Sequence, residues 1–200
     1  MYRIYGVVRS RASRCLWLLE ELGLPYELEK VDQAAGENRT PAYLALNPAG
    51  KVPTLTDGDF VMSESHAILL WLAQSAGAPF WPEDRQAQGR ALQWTVWTAA
   101  ELEPVTTSIV HGLRDTTPGA ADRLAAARAT AADRLRLVEL QLAKTRYIAG
   151  AGMTVADVSL GSNVAYAEFF GLDLGTLPHL RAWRDGLKQR PAYQRVFGAA

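Results

Sequence analysis

The stretch that most constrains the fold of this chain is Asn47–Leu55, which reads NPAGKVPTL. Its two prolines, Pro48 and Pro53, have no backbone N–H to donate, so Asn47-Pro48 ends any preceding helix and a strand begins only beyond Pro53. Ser63–Ser65 follows shortly and places an acid between two hydroxyls at a predicted helix start. A rigid turn and a helix N-terminus close together predict a site that holds a small extended peptide by its backbone and its charged ends.

The first part of the chain alternates between strand and helix patterns. Runs rich in β-branched and aromatic residues predict strands, and apolar residues at helical spacing predict helices. Gly23 stands where a helix C-cap is expected, and Gly58 suits a hairpin turn because glycine permits positive φ. The predicted order is strand 2–8, helix 10–22, strand 26–31, loop 32–40, helix 41–46, strands 54–57 and 60–62, and helix 65–76.

The second part reads as almost entirely helical. Pro104 is expected to kink its first helix, and Thr154 with Asp157 forms a capping-box pattern that serves folding rather than chemistry. The predicted helices are 84–112, 120–145, 154–170, 178–189 and 191–197. We therefore predict an α/β N-terminal domain at 1–77, a linker at 78–83 and an all-helical domain at 84–200.

Composition narrows the classes of partner. The 200 residues include 21 basic and 21 acidic side chains, so no excess of positive charge favours nucleic acid or an anionic membrane. No apolar run approaches the roughly 18 residues that a membrane span needs, and the N-terminal sequence lacks a signal-peptide pattern. The single cysteine excludes an internal disulfide, and the three histidines have no metal-site spacing. We expect a cytoplasmic protein without a metal.

Five motifs, taken in this order, resemble the cytosolic glutathione transferase superfamily, and the serine-type bacterial and fungal members most. The motifs are Ser10–Arg14, Leu18–Tyr26, Asn47–Leu55, Ser63–Ile68 and Thr154–Asp157. The resemblance covers essentially the whole chain. It implies the glutathione transferase fold, with a thioredoxin-like βαβαββα N-terminal domain followed by an all-α domain that forms the electrophile pocket and part of a dimer interface.

The resemblance also implies an activity. The expected function is detoxification by a transferase that conjugates the glutathione thiolate to a small, mostly hydrophobic electrophile. Glutathione would be the co-substrate and the protein a homodimer. The alternatives are a glutathione-dependent isomerase or peroxidase, and a non-catalytic glutathione-binding or regulatory protein of the same fold.

Glutathione is expected to lie along the motif residues. The resemblance implies a cis bond at Val52-Pro53, which leaves the Val52 backbone to pair with the cysteinyl unit. Ser65 at its helix start suits the γ-glutamyl carboxylate, and Glu64 suits the γ-glutamyl ammonium. Lys51 is placed for the glycyl carboxylate. Asn38 and Arg39 of the same subunit are two further expected contacts, and Glu101 of the partner subunit is a third.

The group that activates the thiol is expected at the first strand-to-helix junction. A free thiol has a pKa of about 8.5, and lowering it by about two units requires about 2.7 kcal/mol. A hydroxyl hydrogen bond together with a helix N-terminus is able to supply that free energy. Ser10 is the predicted residue, with Tyr5 and Ser13 as alternatives. Cys15 shares the apolar stripe of its helix and is interpreted as a buried, unreactive thiol.

The electrophile pocket is expected where the second domain meets the first. Arg9 departs from an apolar wall and favours a partly anionic acceptor. Trp94 and Trp97 share a helix face with Glu101 and are interpreted as core or interface residues. The predicted wall residues are Val8, Arg9, Ser108, His111, Tyr166 and Phe169.

Overall fold

The structure is a computed structural model that describes residues 1–175 and 177–198. Thr176, Ala199 and Ala200, which belong to the predicted region 84–200, lie outside the described residues. The chain forms two compact units. The first comprises residues 1–78 and those from 188 onward, and the second comprises residues 79–187.

The first unit is built on a four-stranded mixed sheet. The strands are β1 (Tyr2–Gly6), β2 (Tyr26–Lys30), β3 (Thr54–Asp57) and β4 (Phe60–Ser63), in the spatial order β2-β1-β3-β4. β1 is parallel to β2 and antiparallel to β3, which is antiparallel to β4. Asp57 pairs with Phe60 across the predicted hairpin turn, where Gly58 has φ +60°.

β1 ends earlier than predicted, and this matters for the site. The strand pattern extended to residue 8, but β1 stops at Gly6, whose φ is +154°. The backbone then enters a turn in which the Ser10 N–H donates to the Val7 carbonyl at 3.1 Å. Val8, which was predicted to lie in the strand, therefore lies with Arg9 in the loop that follows it.

Four helices belong to the first unit: α1 (Ala12–Leu22), α2 (Pro41–Leu46), α3 (Ser65–Ala76) and α9 (Pro191–Phe197). A single 3₁₀ turn, Glu37–Arg39, precedes α2. α1 is buried from Ala12 to Leu19 and ends at Gly23, whose left-handed backbone donates to the Leu19 and Glu20 carbonyls. Because both flanks of α1 are covered, its apolar residues form much of the core of this unit.

α9, which lies near the C-terminal end of the chain, packs on α1. Trp17 makes edge-on ring contacts with Tyr193 and Phe197, at centroid distances of 5.1 and 5.9 Å. The Arg190 guanidinium donates to both carboxylate oxygens of Glu21 at 2.6 Å, and Arg195 pairs with Glu20 at 2.6 Å. The last helix is thus fastened to the first by ring contacts and two ion pairs.

The described part of the second unit is helical. Its helices are α4 (Arg85–Trp97), α5 (Glu103–Gly112), α6 (Ala120–Leu142), α7 (Val155–Phe169) and α8 (Pro178–Lys188). Between α4 and α5 the backbone widens into a π-helical turn, Thr98–Leu102. Pro104 is the second residue of α5, and a proline removes the ordinary hydrogen bond to the residue four positions earlier. None of the helices in the described ranges has the length and apolarity needed to cross a membrane.

The predicted capping box at the start of α7 is confirmed. The Thr154 hydroxyl accepts from the Ala156 N–H, and the Asp157 carboxylate accepts from the Thr154 N–H. Asp157 is fully buried and also accepts from the Ile148 N–H and the Trp183 indole N–H, each at 2.9 Å. Burial raises the pKa of this carboxyl, and these three donors, together with the Thr154 hydroxyl at 3.3 Å, offset part of the cost of keeping it charged.

Candidate functional site

The site in the first unit centres on Gly6 at the end of β1. A Cβ added to this glycine would lie 2.7 Å from Ala12 Cβ, 3.4 Å from Ser10 Oγ and 3.5 Å from Val52 Cβ. The start of α1 and the Val52 turn therefore approach the same point from two directions. Only glycine leaves room for this approach. Ser10 and Val52, which are 42 positions apart in the sequence, are thus brought together.

Ser10 occupies the turn that leads into α1. Its hydroxyl donates to the Val7 carbonyl at 2.7 Å, and its Oγ accepts from the Ala12 N–H at 3.1 Å. The side chain is half-buried. The hydroxyl proton can rotate toward a ligand while Oγ keeps the bond from Ala12, because the two bonds use different parts of the hydroxyl group.

The Val52-Pro53 peptide bond is cis. Val52 and Pro53 are buried, and the Val52 backbone N–H and C=O have no hydrogen-bond partner within the described residues. Buried backbone polar groups are nearly always paired in proteins. A peptide that binds here in extended form would supply the missing partners.

The loop before Val52 is held from beneath. The Asn38 side-chain amide donates to the Gly50 carbonyl at 2.6 Å, and Asn38 is 6% exposed. The Arg39 guanidinium covers Gly50 so closely that a Cβ there would lie 2.7 Å from its Nη1. Lys51 is exposed. The structure thus gives Asn38 a partner inside the loop, and both Arg39 and Lys51 lie at the surface.

A second group of buried side chains lies under the next residue of the loop. The Tyr43 hydroxyl donates to the Lys51 carbonyl at 2.7 Å, and the Asn47 side-chain amide donates to the same oxygen at 2.9 Å. Thr54 Oγ1 lies 2.9 Å from the Tyr43 hydroxyl and 3.1 Å from Asn47 Nδ2. Burial raises the pKa of Tyr43, so its hydroxyl stays protonated at neutral pH.

The start of α3 carries the other predicted contacts. Ser65 is buried and its hydroxyl accepts from Arg14 Nη1 at 3.2 Å, while Arg14 also contacts the His66 ring. Arg14 is 4% exposed. Its positive charge and the positive end of the α3 dipole coincide, which favours a carboxylate at this point. Glu64 is exposed and stands at the helix N-cap.

Glu64 has a strained backbone. Its φ of 69° and ψ of 103° make it the one non-glycine residue with positive φ within residues 1–175 and 177–198. Such conformations persist where the surrounding structure requires them, and they concentrate at binding sites. The strain fixes where the Glu64 carboxylate and the first N–H groups of α3 point.

The two alternatives to Ser10, Tyr5 and Ser13, both lie in the first unit and are at least partly buried. Tyr5 packs its ring against Tyr43 at a centroid distance of 6.2 Å, beside the buried cluster of Val31, Tyr43 and Val52. Ser13 is 5% exposed within α1. Cys15 has no exposed surface, and burial raises its thiol pKa to about 12. The interpretation of Cys15 as a buried thiol is confirmed.

The remaining predicted residues lie partly in each unit. In the first, Val8 is half-buried and Arg9 exposed. In the second, Ser108 donates to the Pro104 carbonyl at 2.9 Å, and Ser108 and His111 are on α5. Tyr166 and Phe169, on α7, are 38% and 66% exposed.

Glu101 has a partner within its own unit. Its carboxylate pairs with the Arg134 guanidinium of α6 at 2.9 Å. Glu101 lies in the π-helical turn and keeps 46% of its side chain exposed. The carboxylate is therefore shared between an intrachain cation and solvent.

Four site residues were missed by the sequence interpretation: Arg14, Tyr43, Asn47 and Thr54. Arg14 had a signal in the sequence. It lies within a mostly apolar helix, and an arginine that is buried there requires a polar partner. The other three had none. Tyr43 and Asn47 bond to a backbone carbonyl, that of Lys51, and Thr54 bonds to them, so no residue type in the sequence marks the acceptor. For residues 1–175 and 177–198, no group of three or more His, Cys, Asp or Glu side chains is arranged to hold a metal.

Comparison with known proteins places this geometry in a family. Residues 9–75 match the glutathione S-transferase N-terminal domain, and residues 121–186 match the C-terminal domain. Glutathione S-transferase 3 of Zea mays is 33% identical over 98% of this chain and 93% of its own length. Glutathione S-transferase GstB of Escherichia coli K12 is 31% identical, with 94% and 92% covered. The chain belongs to the glutathione S-transferase superfamily.

Solved structures of glutathione S-transferases share the fold. The theta class glutathione S-transferase of Xanthomonas axonopodis pv. citri, solved with glutathione bound, has a TM-score of 0.89 and 36% identity, covering all of this chain and 98% of that one. A glutathione S-transferase of Pseudomonas fluorescens has a TM-score of 0.86 and 29% identity, with 98% of each chain covered. The predicted glutathione transferase fold, thioredoxin-like at the N-terminus and helical at the C-terminus, is confirmed.

Proposed function

We propose that this chain is a glutathione transferase of the serine type, in which Ser10 activates the glutathione thiol. One observation carries the proposal: Ser10 Oγ and the Val52 side chain border the same point beside Gly6. A cysteinyl unit paired with the Val52 backbone would bring its sulfur to the Ser10 hydroxyl. Membership of the superfamily supports this reading.

The Ser10 hydroxyl would act by stabilising the thiolate. It turns from the Val7 carbonyl toward the sulfur and donates a hydrogen bond there, while the N-terminus of α1 adds a favourable dipole. The thiol proton is lost to water. The thiolate then forms a sulfur–carbon bond with the electrophile, and where a substituent is displaced it leaves with the bonding electron pair.

The ends of glutathione have matching groups. The γ-glutamyl carboxylate would dock at Ser65, on the N-terminus of α3, where the buried Arg14 adds positive charge. Glu64 would take the γ-glutamyl ammonium. Lys51 would take the glycyl carboxylate, with Arg39, whose guanidinium lies over Gly50, as a second donor. Asn38 would act through the loop that it holds.

Two further parts of the proposal concern the second unit. A small hydrophobic electrophile would contact the exposed Tyr166 and Phe169 rings of α7, and Ser108 and His111 on α5 are the other contacts proposed in the second unit. Val8 and Arg9 are the contacts proposed in the first unit. The chain would act as a cytoplasmic homodimer, in which Glu101 of the partner subunit approaches the glutathione ammonium. Removing the positive charge with Arg9→Ala tests whether anionic acceptors are preferred.

The decisive experiment is an ultraviolet titration of enzyme-bound glutathione. We expect a bound thiol pKa about two units below the free value of about 8.5 in the wild type. In Ser10→Ala the pKa of the bound thiol should rise most of the way back to the free value. The kcat/KM for a chloronitroarene should fall by about 10- to 100-fold, while the Kd for glutathione changes little.

Ser75→Ala is the matched control, because the Ser75 hydroxyl also donates to a backbone carbonyl, that of Trp71 at 2.8 Å. It should leave the thiol pKa unchanged. Loss of the shift in Tyr5→Phe rather than Ser10→Ala would reassign activation to Tyr5. Tight glutathione binding with an unshifted thiol pKa would favour a non-catalytic binding protein.

A further inference from the structure

Three buried side chains form a hydrogen-bonded ring beneath Lys51. The ring joins Tyr43, Asn47 and Thr54, which are 5%, 5% and 0% exposed. Tyr43 and Asn47 both donate to the Lys51 carbonyl, at 2.7 and 2.9 Å. Thr54 Oγ1 links the two side chains from the other side, at 2.9 and 3.1 Å.

Counting protons fixes the direction of every bond in this ring. The Tyr43 hydroxyl has one proton, and the Lys51 carbonyl receives it. The Thr54 hydroxyl must then donate to Tyr43, and Thr54 accepts from Asn47. The remaining Asn47 proton returns to the Lys51 carbonyl. The ring therefore has one consistent arrangement, and it ends on a single backbone oxygen.

The Lys51 carbonyl determines where the next amide points. The peptide bond between Lys51 and Val52 is trans, since the cis bond found in the described residues is Val52-Pro53. In a trans peptide the C=O and the following N–H point in opposite directions. Because the carbonyl is held toward the buried ring, the Val52 N–H is turned away from it.

We propose that Tyr43 is a positioning residue, whose hydroxyl orients the backbone that binds glutathione. It orients the Lys51–Val52 peptide through the ring, so that the Val52 N–H is presented to the ligand before binding. This inference rests on the proposed function, because Val52 is the residue assigned there to the cysteinyl unit. A preorganised donor avoids the cost of ordering the loop on binding, so the ring raises affinity without touching the ligand.

The test compares two tyrosine variants in the same unit. Tyr43→Phe removes the hydroxyl from the ring, and Tyr26→Phe removes a hydroxyl that donates to Glu20 at 2.8 Å away from Val52. We expect Tyr43→Phe to raise KM for glutathione about 3- to 10-fold, the range expected for a lost neutral hydrogen bond. Its kcat at saturating glutathione should stay within about twofold, because a loss of uniform binding leaves kcat unchanged.

A second pair of variants keeps the test open if Tyr43→Phe folds poorly. Thr54→Val removes the bridging hydroxyl at nearly constant shape, and Thr54→Ser restores it. We expect a raised KM for glutathione in the first variant and a wild-type KM in the second. The proposal is overturned if KM rises equally in Tyr43→Phe and Tyr26→Phe, or if Thr54→Val and Thr54→Ser bind glutathione alike.

Amide NMR spectra of the ligand-free protein separate this inference from the proposed function. A wild-type chain that binds no glutathione overturns the proposed function. Even then, the Lys51 and Val52 amide resonances test whether Tyr43 orients the Lys51–Val52 peptide. They should shift more in Tyr43→Phe than in Tyr26→Phe. Equal shifts in the two variants overturn it.

Discussion

At the scale of single residues, the site depends on backbone conformations that most side chains disfavour. Gly6 permits the close approach of Ala12, and Gly50, with φ +58°, lies directly under the Arg39 guanidinium. Glu64 adopts a positive φ without being glycine. A charged residue in such a conformation costs stability of about 1–3 kcal/mol, and it persists where its side chain is useful.

This strain predicts a different outcome for two substitutions of Glu64. Glu64→Gly relieves the strain and Glu64→Ala does not, although both remove the carboxylate. We expect Glu64→Gly to be more stable than Glu64→Ala by about 1 kcal/mol in urea unfolding. Both should bind glutathione roughly 10- to 100-fold more weakly by calorimetry, the range for a lost charged hydrogen bond. Equal stabilities would contradict the strain argument, and wild-type affinity in either variant would contradict the assignment of Glu64 to the glutathione ammonium.

At the scale of elements, α1 is held at both ends of its length. Its first turn carries the site, and farther along Glu21 accepts both Arg190 bonds and the Trp17 indole N–H at 2.9 Å. Glu21 keeps 5% of its side chain exposed, whereas Arg190 keeps 35%. The ion pair is therefore partly shielded from water, which strengthens it relative to a surface pair.

The fastening of α9 to α1 predicts a loss of stability on neutralising Glu21. Glu21→Gln should lower the free energy of unfolding by about 2 kcal/mol, because hydrogen bonds to charged groups contribute about 1.5–3 kcal/mol. The measurement is urea unfolding followed by circular dichroism.

Glu27→Gln is the control for this substitution. The Arg3–Glu27 pair has a similar bond length of 2.7 Å, but both side chains are nearly half exposed. Exposed pairs contribute little, so no measurable change is expected. Equal effects of the two substitutions would show that shielding by α9 does not matter.

At the scale of the whole molecule, one thiol reports on opening. Cys15 is the single cysteine of the chain, it is fully buried, and its thiol pKa is raised to about 12 by burial. The thiolate is the reactive form, so the native protein has almost none at neutral pH. Alkylation therefore requires the first unit to open around α1.

We predict that iodoacetamide modifies Cys15 slowly, and more slowly still when the glutathione site is filled. S-methylglutathione is the suitable probe, because it has no thiol to consume the reagent. At 100 times its Kd, a ligand that binds only the closed state stabilises it by about 2.7 kcal/mol, which slows alkylation about 100-fold. Mass spectrometry gives the rates. Alkylation as fast as that of a free thiol would contradict the buried assignment, and an unchanged rate with ligand would contradict binding at α1.

Much of the fold was predictable from local patterns. The helices 41–46, 65–76 and 191–197 and the Gly58 hairpin are confirmed, because proline, glycine and capping signals act over a few residues. Boundaries failed where a local signal was overruled. Val7 and Val8 favour a strand, but Gly6 turns the backbone away so that Ser10 reaches the start of α1.

The sequence by itself determined which motifs are present and in what order, and so the family and the residues that face glutathione in the proposal. Only the tertiary structure decided how those residues are supported. The guanidinium of Arg14 meets Ser65 from another helix, and Tyr43 and Asn47 both donate to the backbone carbonyl of Lys51. Short-range signals specify turns and caps. Contacts between distant segments depend on how the helices and the sheet pack, which no local pattern records.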